Sequence, residues 1–541
     1  MKSASFGNFR EPLSLRTVRR ADRAPLLAIE IDATAAVAVP LHRQLYDALR
    51  RAILTGRLPA GARLPSSRGL AAELGLSRNT VLAALEQLAS EGYVEGRTGS
   101  GTYVAQALPD VRPEPAAEAP RPSAGSASSM AAPSRRGRSL SGRLRSDAVG
   151  TGPFAVGLPE LAAFPFELWS RLLARSWRGP APDVAAARDP AGYRPLREAI
   201  ADHLRRVRAV QCSAEQVIVV SGIRQAVDLT VRLLLDPGDA VWVEEPGFPG
   251  IRAVLEAADL ALVPVRVDAE GLCVAEGARA APRARLVCVA PSHQYPLGVV
   301  MSLARRLDLL AWAREAGAWV IEDDYDSEFR YAGRPLAAMQ GLDRDGRVIY
   351  VGSFSKVLFP SLRIGYLVAP PALVDALCAA RATLDDHPPM TAQPALAEFI
   401  AEGHFAAHLR RMRRLYGARQ QALLDSAERH LGGLLRLTPH EAGMHLVADL
   451  LPDLARRMDD RAAARRIAAA GLVAAPLSGY YMGLPKRQGL MLGYAAFDEA
   501  TIEAGVKGLA EALADEADRS QPRRFDPGSN RRAMRNGGGR E

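Results

Sequence analysis

V-G-S-F-S-K-V-L-F-P-S-L-R-I-G-Y, from Val351 to Tyr366, decides how the rest of this chain is read. The apolar run Val348 to Val351 arrives as a buried strand, and a second apolar run, Ile364 to Val368, leaves as another. Between them lie glycine, serines and a single lysine, Lys356, with Arg363 seven residues further on. A lysine is costly to bury unless it has a partner or a covalent use, and a Schiff base to an aldehyde cofactor is such a use. In that reading Ser353 donates a hydroxyl, and Arg363 a bidentate cation, to a phosphate. The other reading is a surface loop with a stray lysine and arginine.

Two upstream segments bear on the choice. Trp319-Val320-Ile321 reads as a buried strand that ends in Glu322-Asp323-Asp324-Tyr325-Asp326. A carboxylate at a strand end can pair with a protonated pyridine nitrogen, which makes pyridoxal 5'-phosphate (PLP) an electron sink. A tyrosine two residues on can hydrogen-bond the cofactor's phenolic oxygen. A Mg²⁺ site or a solvated acidic loop is the alternative. Strand-like Val217 to Val220 runs into Ser221-Gly222-Ile223-Arg224-Gln225-Ala226. A strand, a small-residue turn and a helix start make a backbone cradle for phosphate, or simply an ordinary strand-to-helix turn.

Taken together, these segments resemble the fold-type I aminotransferases, in which phosphate turn, ring-stacking aromatic, aspartate with tyrosine, Schiff-base lysine and arginine occur in this order. The resemblance makes Phe248, in Glu244-Glu245-Pro246-Gly247-Phe248-Pro249, the ring-stacker. A core aromatic following a turn is the alternative there.

Composition permits this architecture. The 541 residues suffice for two or more domains, and 48% hydrophobic residues is ordinary for a globular chain. No apolar run reaches the ~18 residues of a membrane span. The N-terminal stretch carries arginines without an apolar segment, so no signal peptide is expected. Cys212, Cys273, Cys288 and Cys378 are far apart, which fits a reducing cytoplasm and argues against zinc or a disulfide framework; no metal site is expected. A net charge of +9 permits an anionic partner.

Upstream, Pro40 opens a helix carrying Leu41, Leu45, Leu49 and Ile53 on one face. Gly56 and Pro59-Ala60-Gly61 end it. A short helix with Leu70 and Leu74, the turn Gly75-Leu76-Ser77, and a third helix with Val81, Leu85 and Leu88 inward come next. Tyr93-Val94-Glu95 and Thr102-Tyr103-Val104 then read as two strands around a glycine-rich turn. The pattern predicts a winged helix-turn-helix, or else a three-helix protein-contact domain with solvated arginines. In a DNA reader, Ser77, Arg78, Asn79 and Thr80 head the recognition helix. Arg78 and Asn79 are of the types that read bases bidentately, and Arg68 and Arg97 suit phosphates or the minor groove.

P-L-H-R-Q-L-Y, L-P-A-G-A-R-L-P-S-S-R, L-G-L-S-R-N-T-V and G-S-G-T-Y-V resemble the GntR family of bacterial transcription regulators throughout 38–106. The expected order is an N-terminal arm (1–37), the reader (38–106), a Pro/Ala/Ser/Arg linker (107–150), a large α/β domain with a mostly parallel sheet (151–432), a small α+β subdomain (433–515) and a basic disordered tail (516–541).

A GntR-type reader joined to an aminotransferase-like domain resembles the MocR subfamily, as do A-P-S-H-Q-Y-P-L-G and I-E-D-D-Y-D-S-E-F-R-Y. The resemblance implies a PLP-dependent regulator that binds double-stranded operator DNA, forms a head-to-tail homodimer, and senses an amine, an amino acid or PLP itself. It also implies that Lys356 is the Schiff-base lysine. Asp323 would face the pyridine nitrogen, Tyr325 the phenolic oxygen and Phe248 the ring, with Ser221, Gly222, Ile223, Ser353 and Arg363 on the phosphate. Three departures from the aminotransferase pattern stand out: Tyr295 in place of the asparagine before Pro296, Ala187 in place of a tyrosine, and Met491 in place of the arginine that grips a substrate carboxylate. The last weakens the case for a working aminotransferase, the alternative reading.

Overall fold

The computed structural model describes residues 39–97, 100–108, 133–134, 137–138, 152–179, 182–186, 189–331 and 336–514. The arm, most of the linker, the tail and Ala187 lie outside the described residues. The chain divides into two units, one before and one after Ala132.

In the first unit, helix α1 (Leu41–Leu54) buries Leu45, Leu49 and Ile53, the stripe its i, i+4 spacing predicts. Helix α2 (Ser67–Leu74) starts where Ser66 Oγ accepts the Gly69 amide, and ends at Gly75 with φ of 66°. Helix α3 (Arg78–Ser90) starts where Ser77 Oγ accepts the Thr80 amide at 3.1 Å. Strands β1 (Val94–Arg97) and β2 (Gly101–Val104) pair antiparallel, with Val94 opposite Val104. Leu45, Leu49, Leu70, Val81 and Leu88 form one closed core, each essentially without exposure. A stripe this narrow cannot bury itself on one helix, so the three helices and the hairpin stand or fall together.

The second unit is built on an eight-stranded sheet of order β3-β10-β9-β8-β7-β4-β5-β6. Its strands are β3 (Val217–Val220), β4 (Ala240–Glu245), β5 (Ala261–Asp268), β6 (Gly271–Leu272), β7 (Leu286–Val289), β8 (Trp319–Asp324), β9 (Val348–Ser353) and β10 (Gly365–Val368). Strands β9, β8, β7, β4 and β5 run parallel, while β10 runs antiparallel to both β9 and β3. The central strands are apolar on both faces because helices cover both, which is why they read as unbroken hydrophobic runs.

A smaller antiparallel sheet, β11-β12-β14-β13, follows the long helix His404–His430. These strands are β11 (Leu435–Leu437), β12 (His445–Leu450), β13 (Ala475–Pro476) and β14 (Gly489–Gly493). The helix Glu499–Leu513 packs on His404–His430, and their shared core runs on into the large sheet's helices. The stretch after the linker is placed against this small sheet: the Val473 amide donates to Pro153 O at 3.0 Å and the Gly493 amide to Phe154 O at 2.9 Å.

Truncating Leu49 to alanine is expected to destabilise the 39–108 unit by about 2–5 kcal/mol. Hydrogen exchange at the α3 amides checks this, and unchanged protection would contradict the shared core.

Candidate functional site

Ligand sites in α/β sheets lie beyond the carboxyl ends of the strands, and here the ends of β3, β4, β7, β8 and β9 contribute. Strands β3 and β9 are both antiparallel to β10 and therefore point the same way. Gly365 stands opposite Ser353 on one side and Val220 on the other. That double register brings Ser353, Arg363 and the Ser221-Gly222 turn to one edge.

At this turn Gly222 has φ of 119°, a conformation side chains avoid, and caps the helix Ile223–Leu234. The Gly222 and Ile223 amides have no acceptor among the described residues, the usual state of a helix start. Ser221 differs: its amide donates to Gln225 Oε1 at 2.7 Å, so only its hydroxyl is left for a ligand. Fully buried Arg381 steadies Gln225 from behind, donating to Val219 O at 3.0 Å. A Cβ on Gly365 would come within 2.9 Å of Gly222 Cα, so the bare Gly365 lets strand and turn close up. Arg363 is exposed and has no ion-pair or hydrogen-bond partner among the described residues. Its Nη1 lies 4.0 Å from where a Gly222 Cβ would be. Ser353 Oγ accepts the Ser355 amide at 3.2 Å, while the buried Ser355 Oγ has no partner. An unpaired guanidinium, an orphaned hydroxyl and two open amides fit a phosphate. Sequence reasoning passed over Ser355, although two serines flanking Phe354 beside the lysine were the available signal.

The acidic cluster is sorted by strand alternation. Glu322 and Asp324 point to one face of β8 and are consumed there. Glu322 accepts the Met339 and Gln340 amides at 2.8 Å, and Asp324 accepts Arg208 Nε at 2.9 Å and the Tyr350 hydroxyl at 2.5 Å. Asp323 points to the other face and lines a cleft with Glu244, Phe248, Cys288, Tyr295, Tyr480 and others. No cluster among the described residues is arranged to hold a metal ion. Burial, reinforced by the charges of Asp324 and Asp326, pushes the Asp323 carboxyl up to about 8. Buried Glu244 beside it also rises to about 8, with Oε1 unpartnered. Two buried carboxyls with no ion pair among the described residues suit a ligand that brings positive charge, as a pyridinium does.

Lys356 does not line that cleft. Its Nζ donates to Gly157 O at 3.0 Å, and a Cβ on Gly157 would stand 2.7 Å from Nζ. Burial lowers its pKa, while the charges of Asp326 and Asp323 act the other way. A lowered pKa favours the free amine, the nucleophilic form. Phe248 meets Tyr295 edge-on at 5.5 Å, and Tyr295 meets Tyr480 at 5.5 Å. The Tyr325 hydroxyl lies 3.0 Å from His293 Nδ1, a contact sequence reasoning missed. Met491 is fully buried on β14, in an apolar cluster with Val267, Leu297, Val447 and Leu477, so no cation occupies that place.

On the first unit, Arg68, Ser77, Arg78 and Asn79 are exposed and Thr80 is half-buried. Ser77 and Thr80 serve the α3 cap, leaving Arg78 and Asn79 as its outward head. Arg97 is engaged by Glu95 at 2.8 Å and stacks on Tyr103.

Residues 41–104 match the gntR family of bacterial regulatory proteins, and residues 170–509 match the aminotransferase class I and II family. The probable rhizopine catabolism regulatory protein MocR of Rhizobium meliloti is 43% identical over 477 residues, covering 88% of this chain and 94% of its own. The chain belongs to the MocR-type regulators of the GntR family. Two other regulators, PdxR of Corynebacterium glutamicum and TauR of Rhodobacter capsulatus, are each 32% identical over 87% of this chain, and 95% and 96% of their own length. Among solved structures, Pyrococcus horikoshii kynurenine aminotransferase in complex with PMP superposes with a TM-score of 0.62 at 27% identity, over 73% of this chain and 98% of its own. The α-aminoadipate aminotransferase LysN of Thermus thermophilus gives 0.62 at 30% identity, over 69% and 96%. The chain is therefore a transcription regulator of MocR type with a GntR reader and a fold-type I aminotransferase-like domain.

Asp323→Asn yields a pH-dependent prediction for the ligand-free protein. The folded carboxyl holds its proton up to about 8, whereas an unfolded aspartate releases it near ~3.9. Folding stability is thus lost as pH rises through that window. The asparagine variant should gain on wild type between pH 5 and 8, by up to about 1.4 kcal/mol per pH unit. Urea unfolding at several pH values checks it; parallel profiles would contradict a buried Asp323 that keeps its proton.

Proposed function

We propose that the chain is a PLP-dependent regulator whose aminotransferase-like unit senses an amine, an amino acid or PLP and whose winged helix binds double-stranded operator DNA. The observation that carries the cofactor reading is the convergence on one sheet edge of an unpaired Arg363, an orphaned Ser355 hydroxyl and the Gly222 turn. A buried, cation-seeking Asp323 lines the neighbouring cleft. Bound PLP would supply an aldehyde for an amine to capture and a ring that withdraws electrons. Ser221 (through its hydroxyl), Gly222, Ile223, Ser353, Ser355 and Arg363 would hold the phosphate. Asp323 would meet the ring nitrogen, Phe248 the ring face, Tyr325 the phenolic oxygen, and Lys356 the aldehyde. A change in the charge or position of Lys356 is felt by Asp323 and Asp326, whose fields reach it. Such a change is the kind of local event that biases a two-state protein.

Buried Met491 disfavours efficient turnover of α-amino acids, since an apolar side chain cannot pair with their carboxylate. A working aminotransferase remains the second reading, favoured by the fold. Turnover of an amino donor with a keto acid at about 1 s⁻¹ or faster would support it. The reader is assigned to 38–106 and the two parts of the aminotransferase-like unit to 151–432 and 433–515, in a head-to-tail homodimer. A cytoplasmic setting fits the four free cysteines and the lack, among the described residues, of any helix long and apolar enough to cross a membrane.

Two experiments test this reading. Wild type with added PLP should show a visible absorption band and, at 100 times Kd, gain about 2.7 kcal/mol of stability. Lys356→Ala should lose the band; a wild type without a band refutes the cofactor half. For DNA, operator duplexes selected from a random pool should bind Arg78→Ala and Asn79→Ala more weakly by about 1–3 kcal/mol each, with relaxed base preference. Arg68→Ala should weaken all duplexes alike and reduce the salt slope by about one. Arg97→Ala should change little, its guanidinium being engaged by Glu95. Unchanged selectivity in the first two variants would refute α3 as the reader.

A further inference from the structure

His293 has no role in the reading above, yet it is the best-connected polar side chain around Tyr325. It sits on the loop after β7 and is 2% exposed. Its Nδ1 lies 3.0 Å from the Tyr325 hydroxyl and 2.9 and 3.1 Å from the two carboxylate oxygens of Asp326, itself 1% exposed. The other ring nitrogen, Nε2, has no partner among the described residues. The small subdomain leaves room for this ring: a Cβ on Gly443 would come within 2.3 Å of His293 Cε1. His440 and His445 approach from the same side, each with ring centre 5.8 Å from that of His293.

We infer that His293, held by Asp326, is a positioning residue that keeps the Tyr325 hydroxyl donating toward the cofactor's phenolic oxygen. The protons available at Nδ1 decide the arrangement. Nδ1 carries at most one hydrogen, and two acceptors face it. With the hydrogen on Nδ1, the Asp326 carboxylate and the Tyr325 oxygen share it, so the tyrosine's own O–H cannot turn back and is free to donate into the site. With Nδ1 bare, Tyr325 would donate to it instead, and the ring's lone pair would face a carboxylate. The Asp326 charge therefore selects the first arrangement, as second partners of an imidazole commonly fix its tautomer. Removing Nδ1 would let Tyr325 turn toward Asp326 and withdraw its hydrogen bond from the site.

The inference rests on the PLP reading, and the experiment separates the two. The visible band of PLP-loaded protein is titrated with pH in wild type, His293→Phe and His293→Asn, with melting temperatures measured alongside. The charged and titratable groups facing His293 are Tyr325 and Asp326 from the loop after β8, and His440 and His445 from the small subdomain; the Lys356 charge reaches both Asp326 and His445. Burial depresses His440 to about 4 and His445 to about 3, which keeps both out of the titration window. Phenylalanine keeps the ring volume but loses Nδ1, and should raise the band's midpoint by about one pH unit, tenfold in the protonation equilibrium. Asparagine, whose amide falls near the Nδ1 position, should restore it. A structural role alone would lower the melting temperature and leave the midpoint in place. Should His293→Phe fail to fold, Asp326→Asn is titrated in its stead and must move the midpoint in the same direction. A midpoint equal to wild type in the folded variant overturns the inference and leaves the cofactor reading standing. A wild type without any band overturns both.

Discussion

One antiparallel strand in an otherwise parallel neighbourhood organises the aminotransferase-like unit. Strand β10 returns directly from β9, and only eleven residues separate Ser353 from Gly365. A parallel return would need a dozen residues or more and a crossover over the sheet face. The short return leaves the loop bearing Lys356 no alternative but to bulge over the strand ends. Because β10 also pairs with β3, the same constraint draws Arg363 to the Gly222 turn. Bulk at Gly365 would pry the edge apart, since a Cβ there meets the Gly222 backbone and Gly352 O at 2.9 Å, whereas Gly222 is held to glycine by its φ of 119°.

Burial of charge is the second theme, and the protein treats similar carboxylates differently. Glu322 and Asp324 are spent on backbone amides, Arg208 and Tyr350, which offset part of the cost of their burial. The Asp323 carboxyl has no hydrogen bond or ion pair among the described residues, Glu244 accepts Gln294 Nε2 but leaves Oε1 unpartnered, and both hold their protons to about 8. Uncompensated polar groups cost stability, and proteins concentrate that cost where a ligand removes it. Membership of the MocR-type regulators places this arrangement in a protein that controls transcription.

The small subdomain takes part in the site without supplying its principal charges. Glu245, at the end of β4, accepts the Met482 amide at 2.8 Å and the Gly483 amide at 2.9 Å, and the Gly247 amide donates to Tyr480 O. These contacts and the His293–His440–His445 group tie the cleft's walls to β12 and the Tyr480 segment. Displacement of the subdomain would therefore be felt at Phe248, Tyr295 and Tyr325 together.

The sequence by itself determined the elements and their order. Leu45, Leu49 and Ile53 mark a helical face, Ser66 and Ser77 mark helix starts, and unbroken apolar runs mark strands covered on both faces. All of these are local periodicities and caps, which short-range sterics and burial dictate. Lys356, Asp323 and the Gly222 turn were legible because each residue type is rare or costly in its setting. What only the tertiary structure decided is how these residues meet. Register across β10 set the neighbours of Arg363, strand alternation singled out Asp323 from four acids in five positions, and Gln225 closed the Ser221 amide. The packing of Gly443 against His293 brought an imidazole to Tyr325 from 32 residues upstream. Such pairings depend on contacts far apart in the chain, and no local pattern encodes them, because the energy that selects them is the burial and hydrogen bonding of the assembled core.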